Sequence, residues 1–146
     1  MTRDEVLAFV DDAPHVGVLS TLAPDGGPHS AGMFFVRDGE SLLMWTYAKS
    51  QKSRNLARDP RAALLVEAGK PYQDLRGVLF RGRAELVPDV AEVTRIGGLL
   101  YERYYEPKTG VSLEAGALAG IERQAPKRIG IVLPIDEIAS WDHAKA

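Results

Sequence analysis

The chain has 146 residues, 45% of them hydrophobic and 26% charged, the balance of one soluble globular domain that can bury its own core. It has no cysteine, which excludes disulfides, a thiolate nucleophile and a Cys-based zinc site. No apolar run approaches the ~20 residues that span a membrane, and Met1-Thr2-Arg3-Asp4-Glu5 lacks a signal peptide's apolar centre, so the expected location is cytoplasmic.

Thr2-Arg3-Asp4-Glu5 has the form of a capping box and opens a short amphipathic helix through Val6, Leu7, Phe9 and Val10, ending before Pro14. Residues 15–21 read as a first strand, Asp25-Gly26-Gly27-Pro28 as a turn and residues 29–36 as a second strand. Asp38-Gly39 predicts a hairpin, because both residues tolerate the positive φ of a tight turn, and residues 41–46 complete an antiparallel meander. A short helix over 50–59 leads to a fourth strand over 61–67 and a loop over 68–75. Residues 76–87 alternate as one long strand, with Val78, Phe80 and Gly82 on one face and Gly82 as its expected bend. Pro88-Asp89 opens a helix in which Val90, Val93, Ile96, Gly97, Leu100 and Tyr104 recur at helical spacing, and Ser112 caps another helix reaching about Gln124. Residues 128–133 form the last clear strand, followed by a tail with Trp141. The reading is a single α+β domain over 1–146 with about six antiparallel strands, long enough and with few enough spare edges to favour a closed or nearly closed barrel.

The formal net charge of -2 hides a segregation. Residues 49–83 hold nine Lys and Arg against three acids, a local +6, so the remainder carries -8. Within that window lies Lys49-Ser50-Gln51-Lys52-Ser53-Arg54-Asn55-Leu56-Ala57-Arg58-Asp59-Pro60. Its cations sit at the helix N-terminus, where free N–H groups and the helix dipole already favour an anion. Cations stabilise a helix mainly at the other end, so Lys52 and Arg54 are misplaced unless an anion binds. A phosphate-bearing ligand is the expected occupant. A nucleic acid is disfavoured, because most of the chain would repel it and no aromatic–basic stacking array appears. His15, His29 and His143 lack metal-ligand spacing, and no Gly-x-Ser-x-Gly elbow or Ser/His/Asp arrangement stands out, so no metal and no catalytic side chain is assigned.

Four segments in this order resemble the flavin and deazaflavin split β-barrel superfamily. They are Thr21-Leu22 with Asp25-Gly26-Gly27-Pro28-His29, the basic helix with Lys52-Ser53-Arg54-Asn55-Leu56, Arg76-Gly77-Val78 with Gly82-Arg83-Ala84-Glu85, and Ser140-Trp141-Asp142-His143. Pyridoxamine 5′-phosphate oxidases and the actinobacterial coenzyme F420-dependent reductases belong to that superfamily. The resemblance implies a split-barrel fold and a homodimer with its cofactor in a groove between subunits. It further implies that Ser50, Lys52, Ser53 and Arg54 grip the phosphate, with Asn55 supporting that segment's backbone. Gly32, Met33 and Phe34 match positions that run beside the tricyclic ring, Thr46 one that contacts the ring or ribityl chain, and Trp141 one that closes the partner's groove.

The pattern Lys-Ser-Arg-Asn-Leu-x-Arg-Asp-Pro-Arg resembles the F420 group more than the oxidase branch, and the +6 window suits that cofactor's phosphodiester and polyglutamate tail without excluding FMN. The expected activity is hydride transfer from the reduced deazaflavin to an unsaturated organic substrate. Two alternatives stay open: an FMN-binding oxidoreductase on the same fold, and a non-catalytic carrier of a cofactor, haem or tetrapyrrole.

Overall fold

The structure, a computed structural model, describes residues 1–145. Its helices are α1 (Arg3–Asp11), α2 (Gln51–Arg58), α3 (Val90–Tyr104), α4 (Glu106–Thr109) and α5 (Leu118–Gln124). Its strands are β1 (Gly17–Leu22), β2 (Pro28–Met33), β3 (Val36–Asp38), β4 (Ser41–Tyr47), β5 (Arg61–Ala68), β6 (Arg76–Arg83), β7 (Glu85–Val87), β8 (Arg128–Pro134) and β9 (Glu137–Asp142). All strand pairs are antiparallel. They form a five-stranded sheet in the order β2-β1-β5-β6-β9 and a four-stranded sheet in the order β3-β4-β8-β7.

Nine strands stand where the pattern predicts about six. Two predicted strands each change sheet part-way. Residues 29–36 break at Phe34-Phe35, so that β2 lies in one sheet and β3 in the other. Residues 76–87 break at Ala84 rather than at Gly82, dividing β6 from β7, and the Ala84 amide leaves its sheet to donate to the Pro60 carbonyl at 2.8 Å. Inside–outside alternation continues across such a crossing, so period-two patterning does not mark it. The third addition is β9, the expected tail, which pairs with β6 from Arg81↔Glu137 to Arg76↔Asp142.

The two crossings fold the sheets face to face around one core. Leu19, Leu64, Val66, Val78 and Phe80 from the first sheet meet Leu42, Met44, Ile131 and Leu133 from the second, together with Phe35. Helix α1 adds Val6, Phe9 and Val10 to this core, its start fixed by the expected capping box: the Thr2 amide donates to Glu5 Oε2 at 2.7 Å and the Glu5 amide to Thr2 Oγ1 at 3.2 Å. A smaller core forms outside the second sheet, where Ile96, Leu100 and Tyr104 of α3 cover Leu43. The predicted helix after Ser112 is kinked. The Ser112 hydroxyl accepts from the Ala115 amide at 3.1 Å, but Gly116 adopts φ 144°, and regular α-helix starts only at Leu118. No described helix is long and apolar enough to cross a membrane.

Candidate functional site

Helix α2 starts as its sequence demands. Ser50 is its N-cap, with extended backbone, and its Oγ accepts the Ser53 amide at 3.2 Å. Thr46, at the end of β4, is buried with its hydroxyl donating to Ser50 Oγ at 3.4 Å. Its side chain therefore holds the cap rather than lining an open surface. Asn55 is fully buried and anchors the helix to β1: its Nδ2 donates to Thr21 Oγ1 at 3.1 Å, while its Oδ1 accepts from Gln51 Nε2 at 2.8 Å. Asn55 thus ties the segment to β1 through its side chain.

The cations divide. Arg58 folds back on Asn55 Oδ1 at 3.2 Å, while Arg61 pairs with Asp59, Arg76 with Asp12 and Arg81 with Glu137. The +6 window is therefore not one field: Arg76 and Arg81 pair with carboxylates from outside it, and Arg61 and Arg81 lie on the sheet. Lys52 and Arg54 keep their position at the start of α2, and among the described residues neither has a carboxylate partner. Arg54 is exposed. Lys52 is half-buried, and loss of hydration, then the neighbouring charge of Arg128, hold its ammonium below the ordinary lysine value. Anion affinity at this end of α2 should consequently fall as pH rises through that lowered value, since the neutral amine binds no anion. A Lys52→Arg variant should flatten this alkaline limb in a titration of ligand affinity against pH.

A cavity of about 420 Å³, a size that suits a flat heterocycle, is lined in part by Gly32, Met33 and Phe34; no residue of α2 lines it, and its link to that helix is β4, which carries Trp45 in the wall. Met33 turns mainly inward and Phe34 outward, as the alternation predicts. A Cβ built on Gly32 would meet only Val16 Cγ1, at 3.7 Å, so packing does not require a glycine there. The missing side chain instead leaves backbone open to the cavity, and a planar ring lying against that backbone fits.

Sequence reasoning missed the opposite wall. Trp45, Tyr101, Tyr105 and Arg128 line the cavity alongside Gly97, Leu100 and Ile121. Trp45 shares β4 with Thr46 but points to the other face, and its ring lies so close to Gly97 that a Cβ there would come within 2.5 Å of it. Phe34 stacks on Tyr104 with ring centroids 4.0 Å apart and planes 10° apart. The Tyr104 hydroxyl accepts the Phe35 amide at 3.2 Å and faces the carbonyls of His15 at 2.5 Å and Phe35 at 2.9 Å, which fixes the chain where it changes sheet. Tyr104→Phe keeps the stacking but leaves that amide unpaired, so chemical denaturation should show a loss of about 1–2 kcal/mol.

Trp141 lies elsewhere. It covers Gly77 on the five-stranded sheet, where a Cβ would come within 2.5 Å of its ring. The register Trp141↔Gly77 and Gly77↔Glu67 sets it on the far side of that sheet from β2, and within one chain it does not line the cavity. Tyr72 packs on His143 near this end of the sheet, with ring centroids 4.5 Å apart. No group of three or more metal-ligating side chains is present among the described residues.

A family model described as pyridoxamine 5′-phosphate oxidase matches residues 2–142, nearly the whole chain. The chain belongs to the pyridoxamine 5′-phosphate oxidase-like family. Its two sheets are that family's split barrel. Among solved structures, the conserved hypothetical protein Rv2991 from Mycobacterium tuberculosis is 36% identical, with a TM-score of 0.88 over 99% of this chain and 87% of that one. A protein titled F420 reductase is 29% identical, with a TM-score of 0.68 over 95% of this chain and 97% of that one. The haem storage protein HutZ from Vibrio cholerae, 17% identical with a TM-score of 0.69 over 94% of this chain and 92% of that one, shares the fold. The pyridoxamine 5′-phosphate oxidase-like barrel thus carries proteins of different stated roles, and the site must separate them.

Proposed function

We propose that the protein is an oxidoreductase that binds coenzyme F420 and reduces an unsaturated organic substrate. The observation that carries this reading is an anion seat and an aromatic cavity linked by β4, which places Trp45 in the cavity wall and leads into α2, and by Arg128, which lines the cavity and is the cross-strand partner of Tyr47. Lys52 and Arg54 stand at the start of α2 without carboxylate partners among the described residues, and the cavity that Trp45 and Arg128 line is also walled by Gly32, Phe34, Tyr101 and Tyr105. The similarity to the protein titled F420 reductase, over nearly all of both chains, supports the choice of cofactor. When bound, the reduced deazaflavin supplies the hydride; the protein binds, orients and shields.

In this reading Ser50, Lys52, Ser53 and Arg54 hold the phosphate end, with Thr46 and Asn55 keeping the α2 N-terminus in place. Gly32 and Met33 present backbone to one side of the ring, and Phe34 and Trp45 confine it. Leu65 and Leu79 on the outer face of the five-stranded sheet stay partly accessible, and Val18 beside them is exposed. A second copy packed there would form the proposed homodimer and bring its Trp141 toward the groove. Sedimentation of the purified protein should give a dimer, and a monomer that still binds cofactor would remove Trp141 from the site.

FMN is the second reading, favoured by the match to the pyridoxamine 5′-phosphate oxidase model and compatible with the same phosphate seat. Purification decides between them: a yellow protein that releases FMN on denaturation and ignores coenzyme F420 would replace the deazaflavin assignment.

A further inference from the structure

Arg128 opens β8, and its cross-strand partner is Tyr47 at the end of β4. Its guanidinium carbon lies 3.9 Å from the Tyr47 ring centroid and 4.8 Å from that of Trp45, so two aromatic faces hold the cation in place. Its Nε is buried without a hydrogen-bond partner, and among the described residues Arg128 has no carboxylate partner. The side chain is only partly buried, yet one buried N–H has no acceptor and the charge has no carboxylate beside it, which leaves the cation poorly compensated. The start of α2 adjoins Arg128: the Ser50 amide donates to the Tyr47 carbonyl and the Ala48 amide to the Lys127 carbonyl, each at 3.0 Å, and there burial, then the charge of Arg128, lower the pKa of a second cation, Lys52. Arg128 also lines the aromatic cavity, so it stands between that cavity and the start of α2. Two like charges held together beside a helix N-terminus repel one another until an oxyanion enters between them.

We propose that Arg128 and Lys52 form a two-armed clamp for a phosphate oxyanion, and that Arg128 is the residue by which this site prefers phosphorylated ring ligands to their unphosphorylated counterparts. The inference rests on the reading of the cavity as a cofactor site. The aromatic faces of Trp45 and Tyr47 fix the guanidinium before the ligand arrives, so little side-chain freedom is lost on binding. Lysine at this position would keep the charge but lose the planar fork and its stacking, so Arg128→Lys should recover only part of the preference.

The test compares two ligand pairs, FMN with riboflavin and coenzyme F420 with its ring–ribityl portion lacking the phosphodiester. Both pairs are titrated by ligand fluorescence against wild type, Arg128→Met and Arg128→Lys, with melting temperatures confirming that each variant is folded. For the pair that wild type binds, Arg128→Met should weaken the phosphorylated member by about tenfold or more and the other member by less than about twofold. Equal weakening of both members, or of neither, overturns the clamp. If wild type binds neither pair, the cofactor reading fails, and sodium phosphate then tests the clamp by itself. A phosphate-dependent change in tryptophan emission that Arg128→Met abolishes sustains it, whereas emission indifferent to phosphate in wild type overturns it.

Discussion

Replacing Lys52 and Arg54 together by alanine is expected to weaken coenzyme F420 binding by roughly 30- to 150-fold, while the turnover number at saturating cofactor changes by less than about twofold. The estimate follows from two charge-assisted contacts to phosphate that together contribute about 2–3 kcal/mol. Arg54 supplies the smaller share, because it is exposed and its charge is screened by solvent. Lys52 is half-buried, and removing it also relieves the repulsion with Arg128. The contrast between affinity and turnover is the point: neither residue is assigned to the chemistry, so substrate reduction at full occupancy should survive. The fold should survive too. The α2 cap depends on Ser50, and the helix is tied to β1 by Asn55, neither of which the double variant touches. Isothermal titration and steady-state kinetics on the same preparations measure both halves; an unchanged dissociation constant would remove the phosphate seat from α2.

Gly97→Ala should damage the cavity without touching any charge. The added methyl would fall 2.5 Å from Trp45 Cζ3 and 2.9 Å from Ile121 Cγ2, well inside contact distance. Alanine ordinarily favours a helix over glycine by up to about 1 kcal/mol, but here overpacking against a rigid indole costs more. The expected balance is a loss of about 1–2 kcal/mol, or roughly 5 °C in melting temperature. Trp45 can yield only by shifting toward the cavity or away from Arg128, whose guanidinium it supports. Ring-ligand affinity should therefore fall by about tenfold or more, for phosphorylated and unphosphorylated ligands alike. That common loss separates Gly97→Ala from the Arg128 variants, whose effect should follow the phosphate. A melting temperature equal to or above wild type would show that Trp45 does not rest on Gly97 in solution.

How far the sequence carried each element depends on whether its signal was local. The start of α2 was legible because a cap, two cations and a closing proline lie within eleven residues, and Ser50 Oγ meets the Ser53 amide as that pattern requires. The capping box of α1 and the helical spacing of α3 were local in the same sense. The crossings at Phe34-Phe35 and Ala84 were not, because alternation persists through a change of sheet and only the third dimension distinguishes one bent strand from two. The charge window misled for a related reason: Arg76 and Arg81 fall in it by position but meet Asp12 and Glu137, which lie outside it, in space. Arg128 was invisible for the converse reason, standing far from the basic helix in sequence with nothing beside it to mark a site. It comes near the start of α2 only because β8 pairs with β4, the strand that leads into that helix. Tyr101 and Tyr105 presented themselves only as positions on or beside a helix, and the aromatic wall they form depends on where α3 docks.

The central claim is that the start of α2 and the aromatic cavity together form one cofactor site, and parallel equilibrium titrations of the wild-type protein with coenzyme F420 and FMN test it most directly. Saturable binding of coenzyme F420, tighter than that of FMN and weakened by added salt, is the predicted result. Binding of neither ligand would contradict the claim.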